Sequence, residues 1–205
     1  MEKDRMWNRL VMPLVMILAG TSFLTGWGCA RSQPSRFFML HSQPGGPVEE
    51  TGERKVRSLG ILPVRFPQYL DRPQIVTRTS RNEVRLAEFD RWAEPLKTNF
   101  TQVLGENLAR LLRSDGIVVF PVQKSVEVQT LLSLEVLQFD GSLGGECRLI
   151  ARWIVYGRDG KTPLTTGRSD LVERVDSSTY DALVSAQSRA VGALSRDIAQ
   201  SLAQM

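Results

Sequence analysis

Two long stretches of the chain carry apolar residues at the spacing of an amphipathic helix. The first opens at Glu94-Pro95, where the proline suits a first helical turn, and ends at Ser114-Asp115-Gly116. Its apolar positions are Leu96, Phe100, Val103, Leu104, Leu108, Leu111 and Leu112. The steps of three and four residues between these positions predict a helix with one buried face.

The second stretch runs from about Thr179 to Ala203 and predicts a terminal helix. Ser178 and Asp181 have the spacing of a capping box, with Asp in the place of Glu. The apolar stripe is formed by Leu183, Val184, Val191, Leu194, Ile198 and Leu202. The polar face is formed by Ser185, Gln187, Ser188, Arg189, Ser195 and Arg196.

Shorter apolar runs and alternating stretches predict eight strands. The odd positions from Cys147 to Val155 are apolar and alternate with residues such as Arg148 and Arg152, which is the period of a strand with one buried face. The other predicted strands are Phe37–Leu40, Arg57–Pro63, Ile75–Thr79, Glu83–Ala87, Ile117–Val122, Leu131–Asp140 and Leu164–Val175.

Turn signals connect these strands. A turn at 80–82 has hairpin spacing, and the turns at 141–145 and 157–160 join the last three strands in antiparallel order. The stretch 42–55 is rich in Pro, Gly and charge and is predicted to be a loop. The resulting order, β–β–β–β–α–β–β–β–β–α, predicts an α+β fold: a single domain with a mostly antiparallel sheet and two main helices packed on one face.

The first 28 residues have the pattern of a bacterial export signal. A slightly positive segment at 1–10 precedes an apolar stretch at 11–24, shorter than the roughly 18 residues that indicate a spanning helix. The segment Leu24–Ala30 then resembles a lipobox, in which cleavage follows a small residue, here Gly28, and Cys29 takes the diacylglycerol. Gly26 and Trp27 are atypical of the motif, so the alternative is an uncleaved anchor followed by a chance cysteine.

The predicted organisation is a signal peptide at 1–28, a lipidated tether at 29–36 and a domain at 37–205. Acyl chains such as palmitate on Cys29 would give stable anchoring, because each buried CH₂ contributes ~0.8 kcal/mol. In the lipoprotein pattern, an aspartate after the cysteine typically signals retention in the inner membrane. Ala30 stands there instead, which favours the outer membrane with the domain on its periplasmic side.

Composition, charge and cysteine content narrow the class of protein. The chain is 42% hydrophobic and 23% charged, which is ordinary for a globular protein, and its formal net charge of +4 is too weak to indicate nucleic-acid binding. If Cys29 is acylated, Cys147 has no intramolecular partner. We interpret Cys147 as a small buried thiol on a strand, with a reactive or intermolecular cysteine as the alternative.

The sequence predicts no catalytic residues, metal or cofactor. His41 is the only histidine, and one histidine with one free cysteine gives no set of zinc ligands at normal spacing. A nucleophile elbow, a P-loop and a G-x-G-x-x-G motif are absent, and the glycine-rich 141–145 lies between strands. Closely spaced charges are typical of surface ion pairs rather than of an acid–base pair. They are Arg85, Glu88, Asp90, Arg91 and Glu94.

The segment 61–95 interleaves aromatic residues with arginines. One interpretation is a docking face, on which Arg, Tyr and Trp anchor a partner protein or, as a variant, a lipid head group. The other is that the aromatic residues seal the core and the arginines solvate its edge. The docking interpretation makes the candidate site residues Arg65, Phe66, Tyr69, Arg72, Arg91 and Trp92.

The same segment carries a family resemblance. The run Leu62–Val76 (LPVRFPQYLDRPQIV), followed by Phe89–Leu96 (FDRWAEPL), resembles the PqiC/YmbA family of ABC-type transport auxiliary lipoproteins. The lipobox, the Phe-Met-Leu strand after a short tether and the terminal helix also fit, so that the resemblance covers nearly the whole mature chain. The unusual lipobox is the main departure.

The resemblance implies an outer-membrane lipoprotein on the periplasmic side that is not an enzyme. Its implied partners are a periplasm-spanning MCE-domain protein and an inner-membrane component, which together move lipid between membranes and maintain the envelope. A homo-oligomeric ring that receives the tip of the MCE tube is also implied, but no catalytic residues are. The alternative from another class is a lipoprotein adaptor for cell-wall synthesis or lipopolysaccharide assembly.

Overall fold

The structure is a computed structural model and describes residues 33–43, 58–121 and 126–205. The predicted signal peptide, Cys29 and most of the predicted loop at 42–55 lie outside the described residues. In chain order the elements are β1 (Arg36–Phe38), β2 (Leu59–Ile61), β3 (Gln74–Arg78), β4 (Val84–Trp92), α1 (Leu96–Leu111), β5 (Ile117–Val119), β6 (Thr130–Gly141), β7 (Glu146–Gly157), β8 (Pro163–Arg174) and α2 (Tyr180–Ala203). A 3₁₀ turn at Gln68–Leu70 lies between β2 and β3.

This order confirms the predicted α+β class, with one eight-stranded sheet and two helices. β6, β7 and β8 pair antiparallel in sequence order, and β3 and β4 form the predicted hairpin. The sheet is mixed, because β1 pairs parallel with β4, and β2 pairs parallel with both β5 and β6. α2 packs against β7, β8 and α1, and α1 packs against β5.

The hydrophobic core lies between the apolar faces of the helices and the strands. Every apolar residue of the two predicted helix stripes is buried. On β7 the odd-numbered residues from Cys147 to Val155 are buried too, as the alternation predicts. Cys147 is fully buried, which agrees with its interpretation as a structural thiol, and burial raises its pKa.

Several predicted strand boundaries were wrong, and β2 is shorter than predicted, spanning Leu59–Ile61. β1 begins at Arg36 and ends at Phe38, β5 ends at Val119, and β4 continues five residues beyond Ala87 to Trp92. The last part of β4 does not alternate cleanly between apolar and polar residues, but it has a partner strand: Asp90 to Trp92 lie in register with the three residues of β1. Pairing with a distant segment therefore extends β4.

Two details of α2 also differ from the prediction. Thr179, not Ser178, is the N-cap, and its hydroxyl accepts a hydrogen bond from the backbone N–H of Ala182. Gln187, Ser188 and Ser195 were assigned to the polar face but are buried. Both serine hydroxyls donate to the carbonyl oxygen four residues earlier, at 2.9 and 2.8 Å, which satisfies them inside the protein.

The four residues Leu40 to Gln43, here called the strap, cross both helices after β1. The backbone N–H of Leu40 donates to Oδ1 of Asn99 on α1 at 2.6 Å, and that of Gln43 donates to Oδ1 of Asn107 at 3.0 Å. Between them, the N–H of His41 donates to the hydroxyl of Ser188 on α2 at 3.2 Å. Side chains of both helices thus satisfy backbone groups that lie outside any strand.

Candidate functional site

The structure separates the six candidate docking residues into different environments. Arg65 is exposed and lies 3.8 Å from Glu135 on β6. Phe66 is half-buried, and its ring packs edge-to-face against Phe100 and Phe139, with centroids 5.0 and 6.5 Å away. Arg65 therefore meets solvent, whereas Phe66 packs against the core.

Tyr69 belongs to a buried polar network centred on Asp140. Its hydroxyl donates to Oδ2 of Asp140 at 2.6 Å. The guanidinium of Arg78 donates to both carboxylate oxygens at 2.8 and 2.7 Å, and Gln138 donates to Oδ1 at 2.9 Å. The Asp140 side chain is fully buried, so this network fixes the turn at Tyr69 to the ends of β3 and β6.

Arg72 and Trp92 line one cleft of about 340 Å³ at the point where β4 ends and α1 begins. The hairpin of β3 and β4 brings them together, because the backbone N–H of Trp92 donates to the carbonyl of Pro73 at 2.7 Å. Asp71 and Ala93 also line the cleft, and the remaining lining residues are Pro73, Glu94, Pro95 and Leu96. Trp92 is only 5% exposed, so its indole forms part of the wall rather than a protruding anchor.

Two residues that line the cleft each have a buried polar atom without a protein partner. Within the described residues, Nε of Arg72 and Oε1 of Glu94 are shielded from solvent and have no hydrogen-bond partner. A buried polar atom left unpaired costs about 1–3 kcal/mol.

Arg91, the sixth candidate, lies beside the cleft without lining it. It is half-buried, and it pairs in register with Phe37 of β1 and with Gln74 of β3. Its neighbour Asp90 is buried and forms an ion pair with Arg36 at 2.6 Å. The partner of Asp90 is therefore on β1, 54 positions away in sequence, and not among the nearby arginines that the sequence interpretation considered.

Sequence reasoning missed the role of Glu94. It was grouped with its charged neighbours as a surface ion pair, whereas it lines the cleft. Two prolines gave a usable signal: Pro73 and Pro95 flank the hairpin and prevent regular pairing at that point, which leaves the cleft open.

The remaining residues that could carry chemistry do not form a second site in the described ranges. His41 is exposed, and its Nε2 lies 3.1 Å from Nε2 of Gln43. In the described ranges no group of three or more His, Cys, Asp or Glu side chains is placed to hold a metal ion. No helix in these ranges combines the length and the apolarity needed to cross a membrane.

Comparison with solved structures shows a known fold. A crystal structure described only as an uncharacterized protein superposes with a TM-score of 0.66 at 21% identity, covering 82% of this chain and 99% of the other. The protein XCC0632 from Xanthomonas campestris superposes with a TM-score of 0.62 at 12% identity, covering 81% and 90%. At these identities the likeness concerns the fold alone.

Comparison of sequences identifies the family. No curated protein matches the chain closely enough to be counted as a relative. The family model described as "ABC-type transport auxiliary lipoprotein component" matches residues 38–199 and so includes the cleft and both helices. This match confirms the resemblance seen in the segment 61–95, and the matched family is one of auxiliary components of transport, not of enzymes. The chain belongs to the ABC-type transport auxiliary lipoprotein family.

Proposed function

We propose that this protein is an outer-membrane-anchored periplasmic lipoprotein and an auxiliary subunit of an MCE-type intermembrane lipid transport system that supports envelope integrity. Membership of the family of transport auxiliary lipoproteins, over residues 38–199, is the observation that carries the proposal. The lipobox-like segment ending at Cys29 supports the anchor, and Ala30 after it supports the outer membrane.

In this proposal the cleft beside Trp92 is the place where the partner docks. Its wall combines an apolar surface from Trp92 and Leu96 with the guanidinium of Arg72 and the carboxylate of Glu94. An extended segment of a partner protein offers both carbonyl acceptors and N–H donors along its backbone, and so suits this pair. Phe66 and Tyr69 then support the segment that carries Arg72, whereas the exposed Arg65 stays open to contact with the partner.

Photocrosslinking in cells tests the docking site. Ala93 and Asp71 are both exposed and line the cleft, so a photoreactive amino acid at either position leaves the core intact. We expect crosslinks to an MCE-domain protein from both positions. The matched control is Thr166, which is exposed on β8.

A point variant measures how much the side chain of Arg72 contributes to capture of the partner. Arg72→Ala removes the guanidinium from the cleft, and we expect capture of the partner to fall about tenfold, corresponding to ~1.4 kcal/mol. Arg168→Ala removes an exposed arginine on β8 and should leave capture unchanged. If a cell-wall synthase or a β-barrel partner of lipopolysaccharide assembly is captured instead, the adaptor function replaces this proposal. Equal capture from position 166 contradicts the docking site.

A further inference from the structure

The exposed apolar side chains of the domain include a pair directly after the tether. Among the large hydrophobic residues of the described ranges, Phe37 is the most exposed at 65%, and Met39 follows at 51%. They alternate with Phe38, which packs against the core, and Leu40, which is part of it. One side of this segment therefore holds it in the domain, while the other presents two large apolar groups to the surroundings.

This segment lies at an end of the sheet. β1 is the terminal strand of the order β1-β4-β3-β6, and it runs parallel to β4. β1 lies beside the last three residues of β4, and the chain upstream of Arg36 runs from there towards the end where β4 begins. Val84 and Leu86 lie at that end and are also exposed, at 39% and 43%. The exposed apolar residues of β1 and β4 thus follow the same side of the sheet, but Leu86 lies four residues, or ~13 Å, before the first β4 residue that pairs with β1.

The distance to the lipidation site limits what this edge can meet. Phe37 follows Cys29 by eight residues, so the two are at most ~28 Å apart even in a fully extended chain. The polar head-group region on each side of a bilayer is about 5–8 Å thick. An acylated Cys29 therefore keeps Phe37 and Met39 within reach of the membrane surface at all times, whereas any protein partner has to arrive by diffusion.

We propose that Phe37 and Met39 insert into the interfacial region of the membrane that holds the anchor. This inference rests on the acylation of Cys29 in the proposed function. Because β1 is a strand of the sheet, a membrane contact at Phe37 and Met39 limits how the domain can be oriented. It also brings the cleft close to the membrane, since the backbone N–H of Ala93, which lines the cleft, donates to the carbonyl of Phe38 at 2.9 Å. The cleft beside Trp92 then opens next to the membrane surface.

Fluorescence quenching in vesicles tests the contact. Full-length acylated protein is reconstituted into vesicles of phosphatidylethanolamine and phosphatidylglycerol that contain a nitroxide-labelled lipid. Met39→Cys carries an environment-sensitive dye. Val172→Cys is the matched control, because Val172 is 50% exposed and lies on β8, which pairs with β7 and not with β1 or β4. Segments in the interface lie ~5–10 Å into the membrane, so we expect quenching at position 39 to exceed that at position 172 by about threefold or more.

A second variant tests the role of Phe37. Phe37→Ser in the Met39→Cys protein should move quenching towards the value at position 172, while the far-UV circular dichroism spectrum stays unchanged. Wild-type protein treated with the dye measures the background from Cys147, which is fully buried.

The outcomes separate the anchor from the contact. Flotation with the vesicles and selective quenching at position 39 support both. Flotation with equal or absent quenching at the two positions overturns the membrane contact but not the anchor. A dye signal at position 39 that changes only with protein concentration also overturns the membrane contact, because it indicates that a second copy of the chain covers this position. Failure to float overturns the anchor and the contact together.

Discussion

At the scale of single residues, the carboxylate of Asp140 is fully buried and accepts hydrogen bonds from three side chains. Burial by itself raises the pKa of this group, but the hydrogen bonds from Arg78, Tyr69 and Gln138 outweigh burial and hold the pKa below its ordinary value. The same network raises the pKa of Tyr69, through burial first and then through its bond to Asp140. Asp140 therefore stays ionised in the folded protein over the whole neutral range.

Asp140→Asn should lower the free energy of unfolding by about 2–4 kcal/mol, because it removes the negative charge that faces Arg78 and replaces one of the two acceptor oxygens with an amide donor. Tyr69→Phe removes one of these bonds and should cost about 1–2 kcal/mol. Urea denaturation at neutral pH measures both. A cost for Asp140→Asn no larger than that of the exposed control Asp71→Asn would show that the network is not a stability determinant.

The pH dependence of the free energy of unfolding follows from the direction in which the pKa of Asp140 is shifted. A carboxyl whose pKa is lower in the folded than in the unfolded state stabilises the fold above the unfolded value, roughly 4 for aspartate. This contribution is complete at neutral pH and is lost as the pH falls below about 4 towards the folded pKa. The wild type should therefore lose more stability on acidification than Asp140→Asn does, as urea midpoints at neutral and acidic pH would show.

At the scale of elements, a glycine allows β8 to accept a tryptophan from β7. A Cβ on Gly167 would lie 2.1 Å from Cζ2 of Trp153, its register partner. Nε1 of Trp153 donates to the hydroxyl of Ser169 at 3.4 Å, and this hydroxyl donates to Asp197 of α2 at 2.7 Å. The close approach therefore links two strands and a helix.

Gly167→Ala should destabilise the domain by about 1–3 kcal/mol, because the indole has to move in a packed interior. Gly157→Ala is the matched control: a Cβ there has its nearest neighbour at 3.6 Å, and we expect a change within about 0.5 kcal/mol. Thermal unfolding of both variants, followed by circular dichroism, makes the comparison. Equal melting temperatures would contradict the contact between Gly167 and Trp153.

The sequence predicts best the elements that are long enough to repeat their apolar pattern several times. α1, α2 and the twelve-residue β6, β7 and β8 each repeat their pattern several times. β1, β2 and β5 have three residues each, and their parallel pairing depends on segments far away in sequence, which no local pattern encodes. For the same reason the burial of Ser188 was missed, because the strap that covers it comes from the other end of the chain.

The candidate site was predictable in part. The density of arginines and aromatic residues pointed to the segment that contains the cleft, and Arg72 and Trp92 do line it. Which of the six residues share a surface depends on the hairpin between β3 and β4, whose register shifts between Gln74 and Val76. Spacing in the sequence does not reveal such a shift, so Phe66 and Tyr69 were grouped with residues from which the fold separates them.

At the scale of the whole molecule, Cys29 is expected to decide where the domain works. Cys29→Ala removes the acceptor thiol, and we expect incorporation of labelled palmitate to vanish together with the mature membrane-bound form. Metabolic labelling and membrane fractionation measure the two effects. Cys147→Ala, which alters a buried structural thiol, should keep full labelling. Unchanged labelling of Cys29→Ala would favour the uncleaved anchor over the lipobox.

The strap described above also governs how the domain bears tension. A pull on the chain upstream of Arg36 acts along β1, parallel to β4, so the bonds between these strands are loaded in shear and have to break together rather than one after another. Behind β1, the bonds from Leu40 and Gln43 to α1 and from His41 to α2 spread the remaining force over both helices. The proposed function fastens the domain to one membrane while its partner reaches towards another, and under that proposal the chain is held at a mechanically resistant point.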